Sequence, residues 1–215
     1  MATTTIITMA TTATITMATT ITITQTSANT SQTIVSITSP ADPIVGLYNT
    51  SAGQSTGAYN GRYSGPAEEP PKVIDGLLST KYLNFGFQGS ASAILNDPGV
   101  NTGFYVTPTI STASVAVALL FATANDFPNR DPLAVTLEGT NATDVGALNL
   151  GSSWTLIYSG PTGIDPAIAP ARSTYVPPQN FSNTIAFRSY RLLVTSQRGP
   201  ENSVQYAEAQ ILGYI

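Results

Sequence analysis

Few side chains in this sequence can do chemistry, and their spacing narrows what they can do. The chain has no histidine and no cysteine, which removes the Ser-His-Asp and Cys-His nucleophile arrangements together with the usual zinc sites. The densest polar cluster is NDFPNRDP at 125–132, which sets Asp126, Arg130 and Asp131 around Phe127. Charged hydrogen-bonding groups beside an aromatic platform suit a sugar-binding loop. A catalytic loop is a second use of the same groups, and internal bracing of the loop by Asp/Arg pairs is a third. Glu68 and Glu69 are adjacent and flanked by prolines. Neighbouring side chains in an extended segment diverge, so they make a poor acid/base pair, and an enzyme is not expected. Tyr48, Tyr59 and Tyr63 fall in a Gly/Ser-rich stretch over 48–66. Connections of this length are uncommon unless they are functional or covered. These tyrosines join Phe127 and Arg130 as ligand candidates; the alternative is that they pack against the sheet or a neighbouring subunit.

The elements that must position these groups are strands. The 215 residues suit one β-sandwich plus an appendage. Strand-like runs recur at 33–38, 102–107, 114–122, 133–137, 154–158, 184–187, 190–195 and 204–212, separated by Pro, Gly, Asn and Asp, with no helical periodicity of useful length. The expectation is an all-β, antiparallel sandwich. Ala116–Phe121 is apolar throughout and predicts a central strand covered on both sides, and the lone Trp154 is read as core. The centre of the chain, KVIDGLLSTKYLNFG at 72–86, predicts a short buried strand at Val73–Ile74. A turn follows at Asp75–Gly76, whose glycine takes positive φ, and then an aromatic run through Tyr82, Phe85 and Phe87. The formal charge of −4 argues against a nucleic-acid or anionic-membrane partner. No run approaches the ~20 apolar residues of a membrane span. The start of the chain lacks a basic n-region, so an export signal is expected to be absent or already removed.

The first 24 residues form three octads, MATTTIIT, MATTATIT and MATTITIT. An even period keeps equivalent residues on one side of a strand. Ile7, Met9, Ile15, Met17, Ile21 and Ile23 share an apolar face, and threonines dominate the other. β-Branched Thr and Ile favour extension, and no Gly or Pro interrupts it. The domain boundary is expected near residue 33, giving a Thr-rich tail at 1–33 and a sandwich at 34–215. An ordered strand must pair its backbone with a sheet edge. At ~3.3 Å per residue the tail outruns one small sandwich, so a neighbouring copy is the expected host. A floppy Thr-rich linker is the alternative. Half of the threonines lie in the first forty residues, where a solvent-facing hydroxyl row would accept O-linked sugars.

The I-D-G turn followed by STKYLNFG resembles the opening of a coagulation factor 5/8 type C (discoidin-like) domain of the galactose-binding-like superfamily. The likeness continues in order through FATANDFPNRDPLAVTLEGTN, SSWTLIYSG and SYRLLVTSQRGPENSVQYAEAQILG, over roughly residues 36–213. It implies a jelly-roll sandwich and, in many members, a structural calcium ion where the D-G turn meets the last strand. Matching positions here are Asp75, Thr80 and Glu208. The alternative is that Asp75 caps a turn and Glu208 pairs with an arginine. Two functions are carried forward. The first is an extracellular or cell-surface structural protein, glycosylated and polymerised through its tail on other copies of itself. The second is a lectin-like carbohydrate-binding module tethered by the Thr-rich segment, with glycans as partners.

Overall fold

The computed structural model describes residues 33–56, 65–86 and 97–215. The tail face of Ile7, Met9, Ile15, Met17, Ile21 and Ile23, and the loop residues Tyr59 and Tyr63, lie outside them. Among the described residues eleven strands run in the order β1 (Val35–Ser36), β2 (Ile44–Leu47), β3 (Tyr82–Asn84), β4 (Gly103–Val106), β5 (Val115–Ala122) and β6 (Pro132–Thr140). They continue with β7 (Thr155–Pro161), β8 (Gln179–Asn180), β9 (Ser189–Gln197), β10 (Val204–Tyr206) and β11 (Glu208–Tyr214). All pairings are antiparallel. A five-stranded sheet, β2-β4-β9-β6-β7, faces a four-stranded one, β1-β11-β5-β8, and β3 and β10 form a two-stranded ribbon. This is the antiparallel sandwich that the alternating runs predict.

Alternation fills the space between the sheets. Phe104, Val106, Val135, Leu137, Tyr190, Leu192 and Val194 of the larger sheet meet Leu119, Phe121, Ala209 and Ile211 of the smaller one. A second apolar cluster of Leu47, Tyr105, Leu148, Trp154 and Leu193 includes residues of the opposite parity on β2, β4 and β9. It lies on the outer face of the larger sheet, beneath the one-turn helix α1 (Val145–Leu148). Trp154 is therefore buried, in this outer cluster, and its indole N–H donates to the Leu148 carbonyl at 3.1 Å.

Three local expectations change. Val73 closes a 3₁₀ turn, Pro70–Val73, because Pro70 and Pro71 fix φ and remove two backbone donors that a strand would need. Residues 184–186 are not strand, and only Phe187 makes a bridge, to Ser114. β5 is fully buried on its inner face, but Val117 and Leu120 remain part-exposed, so its outer face is half covered. The Asp75–Gly76 turn forms as expected, with Gly76 at φ 77°.

Candidate functional site

β5 and β9 end at the same edge of the sandwich as β6 begins, so three loops gather there: 75–81, 123–131 and 198–203. The D-G turn delivers the first group of side chains. Thr80 Oγ1 lies 2.9 Å from both Asp75 carboxylate oxygens and 2.9 Å from the Leu77 carbonyl. The Leu77 N–H donates to Asp75 Oδ1 at 2.9 Å and to Glu208 Oε1 at 3.0 Å. β11 thus brings Glu208 from the far end of the sequence onto the turn, so Asp75, Thr80 and Glu208 share one corner. Glu208 is fully buried and its partners include Gln210 rather than an arginine. Burial, aided by the charge of Asp75, pushes its carboxyl up to about 7 against the lowering effect of Gln210. Two carboxylates, a hydroxyl and a carbonyl converge, and among the described residues the cation paired with this corner is Lys72, 3.7 Å from Asp75. The donor set is all oxygen, which suits a hard cation such as calcium. No cluster of three His, Cys, Asp or Glu occurs among the described residues, so the remaining ligands would be hydroxyl and carbonyl oxygens.

Beside this corner lies an open depression of about 390 Å³ lined by Ala67, Glu68, Ser79, Thr80, Lys81, Asn125 and Asp126. Lys81 Nζ is 2.7 Å from Asp126 Oδ1 and 3.5 Å from Glu68 Oε1. Behind it, the buried Gln205 donates through Nε2 to Asp126 Oδ1 at 2.8 Å and to the Asp126 carbonyl at 2.6 Å. Burial opposes ionisation of Asp126, but hydrogen bonds from Lys81 and Gln205 outweigh it and hold the carboxyl below its ordinary range. Asp126 is therefore held in position and favoured in its ionised form.

The other predicted ligand residues flank this depression or stand apart from it. Phe127 follows Asp126 directly, is half exposed and sits at φ 39°, a left-handed conformation costly for a bulky side chain. The Arg130 guanidinium stacks over its ring at 4.1 Å and also reaches Glu201 at 3.4 Å. Neither lines the depression, and neither does Tyr48, which is half-buried just after β2. Asp131 is turned inward. It accepts a two-pronged bond from Arg172, both arms 2.8 Å, and Arg198 lies 3.5 Å away. Asp126, Arg130 and Asp131 thus serve three different partners rather than one site.

Two groups escaped sequence reasoning. Lys81 is one of only two lysines and falls next to the aromatic run, the one signal that marked it out. The second is Arg191 on β9 with Glu138 on β6, directly opposed in the ladder and both buried. Arg191 Nε meets Glu138 Oε2 at 2.7 Å, and its guanidinium sits 4.8 Å from the Trp154 ring centre. A lid of loop backbone closes over them. The Gly53 N–H donates to Glu138 Oε1 at 2.8 Å, and Arg191 Nη1 donates to the Gln54 carbonyl at 2.9 Å. Gly53 has φ 74°, which suits a residue without a side chain, and a Cβ on Gly151 would strike the Gly53 carbonyl oxygen. A charge in the middle of an apolar strand, as in YRLLVT and VTLEGT, was the available signal.

No protein-family model matches the chain, and no curated protein matches it. Among solved structures it is similar to CBM32-3 from a family 31 glycoside hydrolase of Clostridium perfringens, at 15% identity and TM-score 0.53, covering 79% of this chain and 90% of that one. It is also similar to the CBM32-1 and CBM32-2 domains of Clostridium perfringens ZmpB in complex with GalNAc, at 15% identity and TM-score 0.52, covering 80% of this chain and 32% of that one. The longer ZmpB structure with its M60 catalytic domain matches at 14% identity and TM-score 0.50, over 80% of this chain and 14% of that one. The fold that this chain shares with these CBM32 domains is the antiparallel β-sandwich.

Proposed function

We propose that the sandwich is a non-catalytic carbohydrate-binding module, acting outside the cell, that docks a glycan in the depression between Glu68, Lys81 and Asp126. The observation that carries this reading is the depression itself. Gln205 holds Asp126 at its floor, Lys81 links Asp126 to Glu68, and the half-exposed Phe127, which does not itself line the depression, follows Asp126 in the chain. Few fixed polar groups with an aromatic neighbour are how small polar ligands are oriented. Calcium in the Asp75–Thr80–Glu208 corner would fix the 75–81 turn that supplies Ser79, Thr80 and Lys81 to the depression. The fibre reading rests on the octad tail, which lies outside the described residues, and none of the geometry above favours it over the module.

The test is a glycan array with the full chain, followed by calorimetry on the hits, comparing the wild type with Asp126→Asn and Lys81→Met. Binding that falls at least tenfold in both variants, with circular dichroism unchanged, supports the assignment. Undiminished binding in both would move the site elsewhere. An array without hits would overturn the module reading.

A further inference from the structure

We infer that the outer face of the smaller sheet, β1-β11-β5-β8, is where two copies of this chain pack against each other. It does not rest on the carbohydrate reading. The register sets which side chains point outward. Ser36, Leu212, Ala118 and Asn180 form one row across the four strands, and Gln210 pairs with Leu120 in the next. Ile37, Leu119 and Ile211, of the opposite parity, belong to the core, so these rows face away from it. Alternation adds Ile34, just before β1, and Tyr214 on β11, and the irregularity in β5 turns Val117 to the same side. Ile34 is 47% exposed, and Leu212, Tyr214, Val117 and Leu120 are part-exposed. The larger sheet differs. There α1 and the loop at 50–56 cover the outer face and bury Leu47, Tyr105, Trp154 and Leu193. On the smaller sheet the 75–81 turn covers Glu208 at one end, and the Tyr175 hydroxyl accepts from Gln210 Nε2 at 3.1 Å. The other end, from Leu212 to Tyr214, stays part-exposed.

Charge decides what fits this face. Within β1, β5, β8 and β11, Glu208 is the one acidic or basic residue, and it is fully buried beneath the turn. The chain as a whole carries a formal charge of −4, so two copies repel least where both present neutral surface. A neutral face needs no opposite pattern on its partner. It is therefore self-complementary about a twofold axis, as an isologous contact requires. Ser36, Gln210 and Asn180 supply hydroxyl and amide groups that bond across such a contact without burying a charge. Four strands ~4.8 Å apart and seven residues at ~3.4 Å give a footprint of roughly 450 Å² per copy. Twice that falls below the usual size of a permanent interface, so the pair is a reversible one.

Sedimentation equilibrium of the full chain, from about 1 to 300 μM, should show a monomer in balance with a dimer. Leu212→Arg sets a cation against its own copy and should weaken the dimer at least about tenfold, with circular dichroism unchanged. The chain has no cysteine, so Ser36→Cys gives a single thiol on the face. With maleimide in excess, its labelling should slow about fivefold once the protein is at ten times the dimer Kd, where roughly a fifth remains monomeric. If Leu212→Arg does not fold, the labelling of Ser36→Cys decides alone. A monomer at every concentration would overturn the inference; slow labelling in that monomer would assign the face to another segment of the same chain. A dimer that Leu212→Arg leaves intact, or one in which Ser36→Cys is labelled freely, would put the contact on another face and overturn it too. So would a ladder of species beyond the dimer, which only a contact that fails to close can build.

Discussion

Replacing Arg191 with methionine should destabilise the sandwich more than removing both members of its pair. Arg191 and Glu138 are 0% and 1% exposed, so neither reaches water. In the wild type the Glu138 carboxylate receives Arg191 Nε at 2.7 Å and the Gly53 N–H at 2.8 Å. Arg191→Met leaves that carboxylate with the Gly53 N–H alone and frees the Gln54 carbonyl, and an uncompensated buried charge of this kind costs about 3–5 kcal/mol. Glu138→Leu with Arg191→Met removes both charges and fills the space with apolar volume, so the double variant should recover at least ~2 kcal/mol relative to Arg191→Met. Arg191→Lys should not rescue, because an ammonium cannot reach Glu138 and the Gln54 carbonyl at once while lying on Trp154. Urea unfolding followed by Trp154 fluorescence reads five proteins: the wild type, Arg191→Met, Glu138→Leu, the double variant and Arg191→Lys. Costs for the two single changes that simply add in the double variant would refute the coupling. A cost below ~1 kcal/mol for Arg191→Met would refute the burial argument itself.

The remaining predictions concern the loop end. Calcium should raise the melting temperature, by several degrees if it contributes about 1–2 kcal/mol, and Thr80→Val should weaken the effect. The carboxyl of Glu208 is raised in the fold from 4.5 to about 7. Its contribution to metal-free stability is therefore full below pH ~4.5 and lost as pH rises through about 7, so the shift caused by calcium should be larger at pH 8 than at pH 5.5. Melting curves with calcium and with chelator check both points, and a calcium effect that is flat with pH would contradict them. Asp131→Asn should cost about 3 kcal/mol or more, since Arg172 and Arg198 both face this one fully buried carboxylate. It should also open the 162–178 loop to limited proteolysis near the exposed Ile168, because Arg172 and the Arg198–Pro166 contact pin that loop. Unchanged cleavage would show that the loop is held by something else.

The sandwich was legible because its information is local. Period-two alternation in FYV, LAVTL and LLV names the inner face of each strand, and turn residues mark the ends; both follow from the pleat and need no knowledge of partners. The corner of Asp75, Thr80 and Glu208 came only through a resemblance, because Glu208 lies 131 residues from the turn it meets at Leu77. No periodicity encodes which loop a strand end will touch. The same limit explains the loop at 125–131. Its sequence places Asp126, Arg130 and Asp131 within six residues, and extended or 3₁₀ backbone turns such neighbours in different directions. One goes to Lys81, one to Glu201 and one to Arg172. Clustering in sequence announced a site, whereas the depression is built from Glu68, Lys81 and Asp126, far apart along the chain. Charge is the link between these scales. In a chain with so few ionic residues, most of the described ion pairs brace loops at the end where β5 and β9 finish and β6 begins. In the depression two carboxylates share one ammonium, and an incomplete pairing is what a ligand can complete.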